Sequence, residues 1–409
     1  MPASSENPRI RVTEGVLVYP LELFWLRSRN YTLWGYCSIF SRQPSYAKID
    51  ETQDIELEKT ALCPQEFSRT SSDKEASVEK IKVIQMGIGT IGQAVTCALH
   101  KKSGVMIVGA IDTDEQKVGK DLGEVAGLDK KLNVMVTDNA DTLFAEAYAD
   151  VVIHTACVYL HEVYPQITTP IEHGMNIISA AEALGNPYVS DPGLAAKLDR
   201  LAKDYGVTVL GSGLSPGFTS DYLILALSGI CREITKVKYT RHSDVRRYLG
   251  GTVGKHFGLG LSPQEFRKGV ESGEIIGHVG FIESAQTVAN RLGWQLDETK
   301  RSMMPVYDSD GHFTSMKTIV QGIKNGEVKI DLELQAFIDP KVETMDSIAI
   351  EGIPTIKMTI RPGIPSVDAT ANALVNAIPH VLNAAPGLMT PGDLPLVSAL
   401  ESDLRLFLR

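Results

Sequence analysis

From Ile81 to Leu210, short apolar runs alternate with amphipathic stretches. Ile81–Met86, Val105–Ile111 and the shorter Leu132–Thr137 read as strands, followed by a helix over Asp141–Tyr148. Asp150–Thr155 is a buried strand with a polar tip, Tyr164–His173 a helix and Met175–Ser179 a further strand. Pro192–Tyr205 carries apolar residues at Leu194, Leu198 and Leu201, the spacing of one helix face, and Val207–Leu210 closes the set. Strands alternating with helices predict a parallel, doubly wound sheet. Ligands of such sheets sit beyond the carboxyl ends of the strands. That places the tips at His154–Thr155, Ser179–Glu182 and Gly211–Gly217 around one crevice.

After residue 230 the pattern changes. Ile234–Arg241, Met303–Tyr307, Thr314–Gly322, Val328–Phe337, Ser347–Glu351 and Thr355–Arg361 are strand-like, several with strict alternation. Turns such as Asp308-Ser-Asp-Gly311 and Lys324-Asn-Gly326 join some of them. This predicts a mostly antiparallel sheet with one face free for a helix or a second subunit. Helices over Pro263–Gly273 and Ile282–Leu292 interrupt it, and a long helical pattern over Asp368–Leu382 packs back on the first domain. The fold class is therefore α/β: a Rossmann doubly wound parallel sheet plus an α+β C-terminal domain with a mostly antiparallel sheet. The expected divisions are an N-terminal extension over 1–79, a dinucleotide-binding domain over 80–214, a substrate and dimerisation domain over 215–364, and a C-terminal helical segment over 365–409.

The turn after the first strand carries the clearest chemistry. Gly87-Ile88-Gly89-Thr90-Ile91-Gly92 fits G-x-G-x-x-G between a strand and a helix. The first glycine allows the turn, the second lets a pyrophosphate approach the backbone, and the third lets helix and strand pack closely. The helix start then offers free N–H groups and a positive dipole end. Asp112 ends the second strand twenty residues past Gly92, where an acid holds a ribose 2′-hydroxyl. Asp112 favours NAD, while Lys117 nearby suits a 2′-phosphate, so NAD or NADP is the expected cofactor. His154, Thr155 and Ala156 at the fourth strand tip join the cofactor set, with His154 packing against the nicotinamide or ribose.

Charge and composition narrow the partners. The chain has 409 residues, a net charge of −10, 43% hydrophobic and 22% charged residues. That balance argues against nucleic acid or an anionic membrane as partner. No apolar run approaches the ~20 residues of a membrane span. Five scattered cysteines without C-x-x-C read as reduced thiols of an intracellular, cytoplasmic protein, and no histidine grouping points to a metal. Residues 1–79 open with prolines and serines, pass through an aromatic patch and become polar. Their short apolar piece is broken by Pro20 and Glu22, unlike a signal-peptide core. Arg27, Arg29 and Arg42 leave organelle targeting open, and no chemistry is assigned there.

Three segments facing the crevice are candidates for the reaction. A strand tip delivers Glu182 into the small apolar run Ser179-Ala-Ala-Glu-Ala-Leu-Gly185. Burial disfavours the charged form and raises a carboxyl pKa, which suits a general acid–base near neutrality. Capping of the following turn in solvent is the competing reading of Glu182. Gly211-Ser-Gly-Leu-Ser-Pro-Gly217 is a close-approach loop leading to a helix, and equally a domain connection. Arg241 ends a strand, with Arg246 and Arg247 beyond it, and guanidinium groups suit a carboxylate or phosphate. His278 lies between Gly277 and Gly280, an unusual setting for a core histidine.

Taken in order and spacing, these motifs resemble the 2,4-diaminopentanoate dehydrogenases and related native amine dehydrogenases, a branch of the dihydrodipicolinate reductase-like proteins. The resemblance covers roughly residues 81–395. It is carried by the glycine fingerprint, Gly109-Ala-Ile-Asp-Thr-Asp114 with Lys117-Val-Gly-Lys-Asp121, Ser179-Ala-Ala-Glu182, Gly213-Leu-Ser-Pro-Gly-Phe218, Gly277-His-Val-Gly280 with Glu283-Ser284, and Ala369-Thr-Ala-Asn-Ala-Leu-Val-Asn-Ala-Ile-Pro379. It implies NAD(P)-dependent oxidative deamination of an amine, or reductive amination of a ketone or aldehyde with ammonia, by a homodimer. It implies Glu182 as the catalytic acid. It implies Arg241 and His278 as polar pocket positions, Ser215 in the loop under the nicotinamide, and a substrate wall including Ser220, Tyr222, Leu225 and Tyr248. The chain departs from the family pattern at Ala183, where a second acid is usual, and at Ser215, where Asn is usual. Two alternatives stay open: a reductase or dehydrogenase of an amino-acid pathway intermediate, and a non-catalytic NAD(P) sensor.

Overall fold

A computed structural model describes residues 27–28, 31–32, 79–246 and 252–408. Two compact units divide the chain, Met1–Ala76 and Ser77–Arg409, and the second carries the fold below. Its first part is a seven-stranded parallel sheet. The strands are β1 (Ile81–Met86), β2 (Val105–Ile111), β3 (Val136–Thr137), β4 (Val151–His154), β5 (Asn176–Ser179), β6 (Thr208–Gly211) and β13 (Gly387–Met389). Their order is β13-β6-β5-β4-β1-β2-β3. β1 and β4 are apolar on both faces because helices cover both. Val152 packs on one side with Val163 and Ile167 of α4 (Leu160–Glu172). Ile153 packs on the other with Leu99 of α1 (Thr90–His100) and Leu374 of α11 (Ser366–Asn376).

The second part is a six-stranded sheet of β7 (Glu233–Asp244), β8 (Glu298–Tyr307), β9 (Phe313–Lys324), β10 (Glu327–Phe337), β11 (Met345–Ile353) and β12 (Ile356–Ile360). The order is β8-β9-β10-β7-β11-β12, antiparallel except where β10 meets β7. One face, with Tyr239, Met316, Val320, Leu332 and Ile348, buries against α7 (Tyr222–Ser228), α9 (Pro263–Ser272) and α10 (Phe281–Arg291). The opposite face is polar and half-buried, with Lys317 3.0 Å from Glu333 and Lys238 3.9 Å from Asp331. Ile319 and Ile323 of β9 share that face, since the inward residues alternate with them.

Several elements differ from the sequence reading. Only Val136–Thr137 of the third run pairs with β2; Val134 instead accepts from the Leu122 N–H, and Met135 bridges to Asp121. The long C-terminal helix breaks after Asn376; Pro379, second in α12 (Ile378–Leu382), lacks the N–H that a continuous helix needs there. β13 follows, added to β6 from the far end of the chain. No helix among the described residues is long and apolar enough to cross a membrane.

Candidate active site

The glycine turn forms a cradle at the carboxyl end of β1. Gly87 has φ +84°, a conformation side chains rarely adopt. A side chain on Gly92 would overlap the Gly87 carbonyl oxygen, so helix and turn touch there. At Gly89, by contrast, a Cβ would meet nothing within 4 Å. Gly89 caps α1 without any side-chain bond, leaving first-turn N–H groups, including those of Thr90 and Ile91, aimed at that opening. Thr155 Oγ1 donates to the Gly87 carbonyl at 2.7 Å, and the backbone of Ala156 packs directly on Gly87. Asp112 Oδ2 accepts from the Ile88 N–H at 2.6 Å and from Lys117 Nζ at 3.1 Å. Lys117 also reaches Asp114 at 3.3 Å, so its charge is shared between two carboxylates. An open anion cradle with an acid at the end of β2 fits a dinucleotide.

His154 corrects an expectation. Its ring is turned away from the crevice, 0% exposed, with Nδ1 2.9 Å from Ser179 Oγ and Nε2 3.1 Å from Gln166 Oε1. Strand alternation explains this: His154 shares the face of Val152 and points under α4, where burial pushes its pKa down to about 4. Its side chain therefore cannot pack on a nicotinamide.

Glu182 opens a 3₁₀ turn over Glu182–Gly185, three residues past β5. Its side chain is half-buried, with 31% of its surface exposed, and its carboxyl is desolvated beside His278. Burial pushes its pKa up to about 8, the neighbouring Glu283 carboxyl pushes the same way, and Arg301 and the Val279 N–H oppose. His278 Nε2 stands 4.0 Å from Glu182 Oε1. It also lies 3.2 Å from the Ser215 carbonyl oxygen, which can only accept, so Nε2 carries the proton. Nδ1 is then a buried lone pair with no partner among the described residues. Burial, helped by Arg241 and Arg301, pushes the His278 pKa down to about 3, so the ring is neutral at physiological pH. A cavity of about 400 Å³ opens beside this group, lined by Tyr159, Ala183, His278, Gly280, Glu283 and Arg301 among others.

Four oxygens link the remaining pocket residues. Ser215 Oγ donates to Ser220 Oγ at 2.9 Å, Ser220 lies 2.9 Å from Ser284 Oγ, and Ser284 donates to Asp221 Oδ2 at 3.0 Å. Because Ser284 spends its hydrogen on the carboxylate, Ser220 must donate to Ser284. Every proton in the chain thus points toward Asp221, and Ser215 Oγ is left with lone pairs only. Arg241 is largely consumed inside the protein. Its Nη1 bonds Asp346 Oδ1 at 2.5 Å, and Nη2 bonds the Ile364 carbonyl and Ser366 Oγ at 2.7 and 2.9 Å. It ties β7 to β11 and the start of α11, and its two Nη groups are not free for a substrate carboxylate. Leu225 is half-buried on α7 and lines neither the cavity beside His278 nor the one beside Phe218 and Tyr222. Tyr248 lies outside the described residues.

Glu283 and Arg301 were not among the expected site residues. Glu283 looks in sequence like an acid in the first turn of a helix, and Arg301 like a charged residue on an outer strand. Their spacing from Glu182, about a hundred residues, carries no local signal. A turn of exposed Asp308, Asp310 and His312 brings three potential metal ligands together, but Asp308 spends its Oδ1 on the N–H groups of Asp310 and His312.

Comparison with known proteins locates relatives. A family model described as the 2,4-diaminopentanoate dehydrogenase C-terminal domain matches residues 218–409, and one for the dihydrodipicolinate reductase N-terminus matches 81–180. The 2,4-diaminopentanoate dehydrogenase of Acetoanaerobium sticklandii is 32% identical over 343 residues, covering 80% of this chain and 97% of its own. The amine dehydrogenase of Streptomyces virginiae is 26% identical over 366 residues, covering 78% and 98%. The solved amine dehydrogenase of Mycobacterium smegmatis superposes with a TM-score of 0.71 at 25% identity, covering 80% of this chain and 99% of that one.

Proposed function

Since the chain belongs to the 2,4-diaminopentanoate dehydrogenase family, we propose that it is an NAD(P)-dependent amine dehydrogenase with Glu182 as its acid–base. The reaction joins a ketone or aldehyde to ammonium and reduces the product, giving an amine and water. Gly87 to Gly92, Asp112, Thr155 and Ala156 would hold NAD(P)H, which when bound would supply the hydride. The protein's own contribution centres on one proton. Ionised Glu182 takes it from ammonium, freeing ammonia to attack the carbonyl carbon. The carboxylic acid then returns it to the hydroxyl that leaves as water. The carboxylate left behind faces the iminium, placing negative charge where positive charge develops. Neutral His278 cannot supply that proton, and its Nε2–H holds the Ser215 loop beside Glu182. Ser215 Oγ, with lone pairs only, is suited to accept from an N–H donor.

The observation that carries this reading is a desolvated carboxyl whose pKa of about 8 lies near working pH, at the carboxyl end of a dinucleotide-binding sheet. The test is NAD(P)H oxidation with ammonium chloride and a panel of small ketones and aldehydes, using Glu182→Gln as control. We expect turnover in the parent that rises with pH through about 8. We expect the near-isosteric variant to bind NAD(P)H normally and lose about 10²–10⁴-fold in rate. A variant rate within a few-fold of the parent removes Glu182 from the mechanism. By the same family membership, a homodimer joined through the polar face of the six-stranded sheet is the assembly we propose.

A further inference from the structure

The recess beside Glu182 holds an unbalanced set of charges. Two carboxyls come from different elements: Glu283, in the first turn of α10, lines the recess, and Glu182, in the 3₁₀ turn, stands beside it, 4.0 Å from the lining His278. The two elements are packed tightly. A Cβ on Gly280 would stand 3.1 Å from Glu182 Cβ, and one on Gly185 would stand 3.8 Å from Glu283 Cβ. Asn186 Nδ2 donates to Thr287 Oγ1 at 3.2 Å across the same seam. Glu283 is 5% exposed and lines the cavity. Among the described residues one cation faces both acids: Arg301 of β8, whose Nη2 is anchored on the carbonyls of Ile276 and His278. Asp191 and His161 also line the cavity, but both are exposed and screened by solvent; the buried titratable neighbours carry no charge near neutrality. His278 is neutral, and burial keeps the Tyr159 phenol above its ordinary range.

One guanidinium against two carboxylates leaves one negative charge over. In a recess that charge is costly, and only two things can cancel it: a proton on one carboxyl, or a second cation bound between them. Both acids accordingly have raised pKa values, each with burial as the largest cause. A cation arriving there displaces the proton and leaves both acids ionised. The cation the reaction consumes is ammonium, small enough for a recess and equipped with four N–H donors.

We propose that Glu283 is the second anion of an ammonium subsite formed with Glu182, and that binding ammonium there expels the proton the two carboxyls otherwise share. The consequence is a division of labour. Glu182 exchanges the reacting proton, and Glu283 holds the cation and sets the pH at which Glu182 ionises. Glu283 also occupies a capping position in the first turn of α10, close to its own N–H and that of Gly280. Glutamine preserves that cap and removes the charge, so Glu283→Gln separates the two roles.

This inference rests on the amine dehydrogenase reading for its ligand, so the test has an arm that needs no turnover. In the first arm, the NAD(P)H complex in weakly buffered solution at pH 7 is titrated with ammonium chloride against sodium chloride at equal ionic strength, and proton release is followed with an indicator. The parent should release up to one proton per site, and Glu283→Gln should release markedly less. In the second arm, initial rates are measured against ammonium and pH. Glu283→Gln should raise the ammonium KM about tenfold or more, leave kcat near the parent value, and move the acidic limb of the pH profile to lower pH. An unchanged ammonium KM with an unmoved limb, in a variant of parental melting temperature, overturns the proposal while leaving the amine dehydrogenase reading intact. Proton release in a parent that aminates nothing on the panel overturns that reading and keeps the cation subsite. Neither release nor turnover overturns both.

Discussion

Gly89 and Gly92 lie one helical turn apart, yet a side chain at each meets a different fate. At Gly89 the backbone is ordinary, with φ −76°, and the space beyond is open. Gly89→Val should therefore fold with a melting temperature near the parent's and lose NAD(P)H binding, because only the pyrophosphate is blocked. Gly92→Val drives a side chain into the Gly87 carbonyl, and overpacking of this kind costs about 1–3 kcal/mol or more. It should lose both stability and binding. Thermal melts with NADH fluorescence titrations check the pair, and retained affinity in Gly89→Val would place the pyrophosphate elsewhere. Sequence exposed this cradle because strand, turn and helix are contiguous. The other half of the site was less visible. Glu182 stood out as an acid in an apolar run, but its partners Glu283 and Arg301 sit on elements that only tertiary packing brings beside it.

At the scale of elements, period 2 located most strands and period 3.6 most helices, since those patterns report which face is covered. What the patterns left undecided was which face a strand-end residue takes when both faces are buried. β4 shows the outcome: the face shared with Val152 carries His154 under α4. The consequence is measurable as acid lability. In the unfolded chain His154 takes a proton below about 6.5, whereas in the folded protein it resists until about 4. Stability is therefore intact above the unfolded value and declines as pH falls through that window, by about 3 kcal/mol in all. Urea titrations at pH 7 and pH 4.5 should show a smaller loss for His154→Gln than for the parent. Equal losses would mean that the ring is not held neutral. β13 and the break before α12 were hidden for a different reason. A three-residue edge strand carries too few alternations to register, and Pro379, three residues past the end of α11, leaves the apolar spacing of Asp368–Leu382 unbroken.

At the scale of the whole molecule, one sheet face has no helix over it among the described residues. Its ion pairs and the isoleucines Ile319 and Ile323, four residues apart on β9, make it the surface through which we expect two copies to join. Light scattering after size exclusion should give twice the chain mass, and Ile319→Arg should shift it to the monomer; a monomeric parent would end that proposal. The same view gives meaning to the position of β13. The parallel sheet is begun by the segment from Ile81 to Gly211, but its outer strand is Gly387–Met389, and the helix that covers α1 is Ser366–Asn376. During synthesis, then, the dinucleotide half is made first and finished last. For the whole time that the six-stranded half is being translated, the edge of β6 and the apolar flank of α1 have no mate. Such a chain depends on its late segment and folds slowly for its size, because its closing contacts join segments as far apart in sequence as Lys102 and Leu400. A stop codon shortly before Gly387 would cost far more than the last few per cent of the protein.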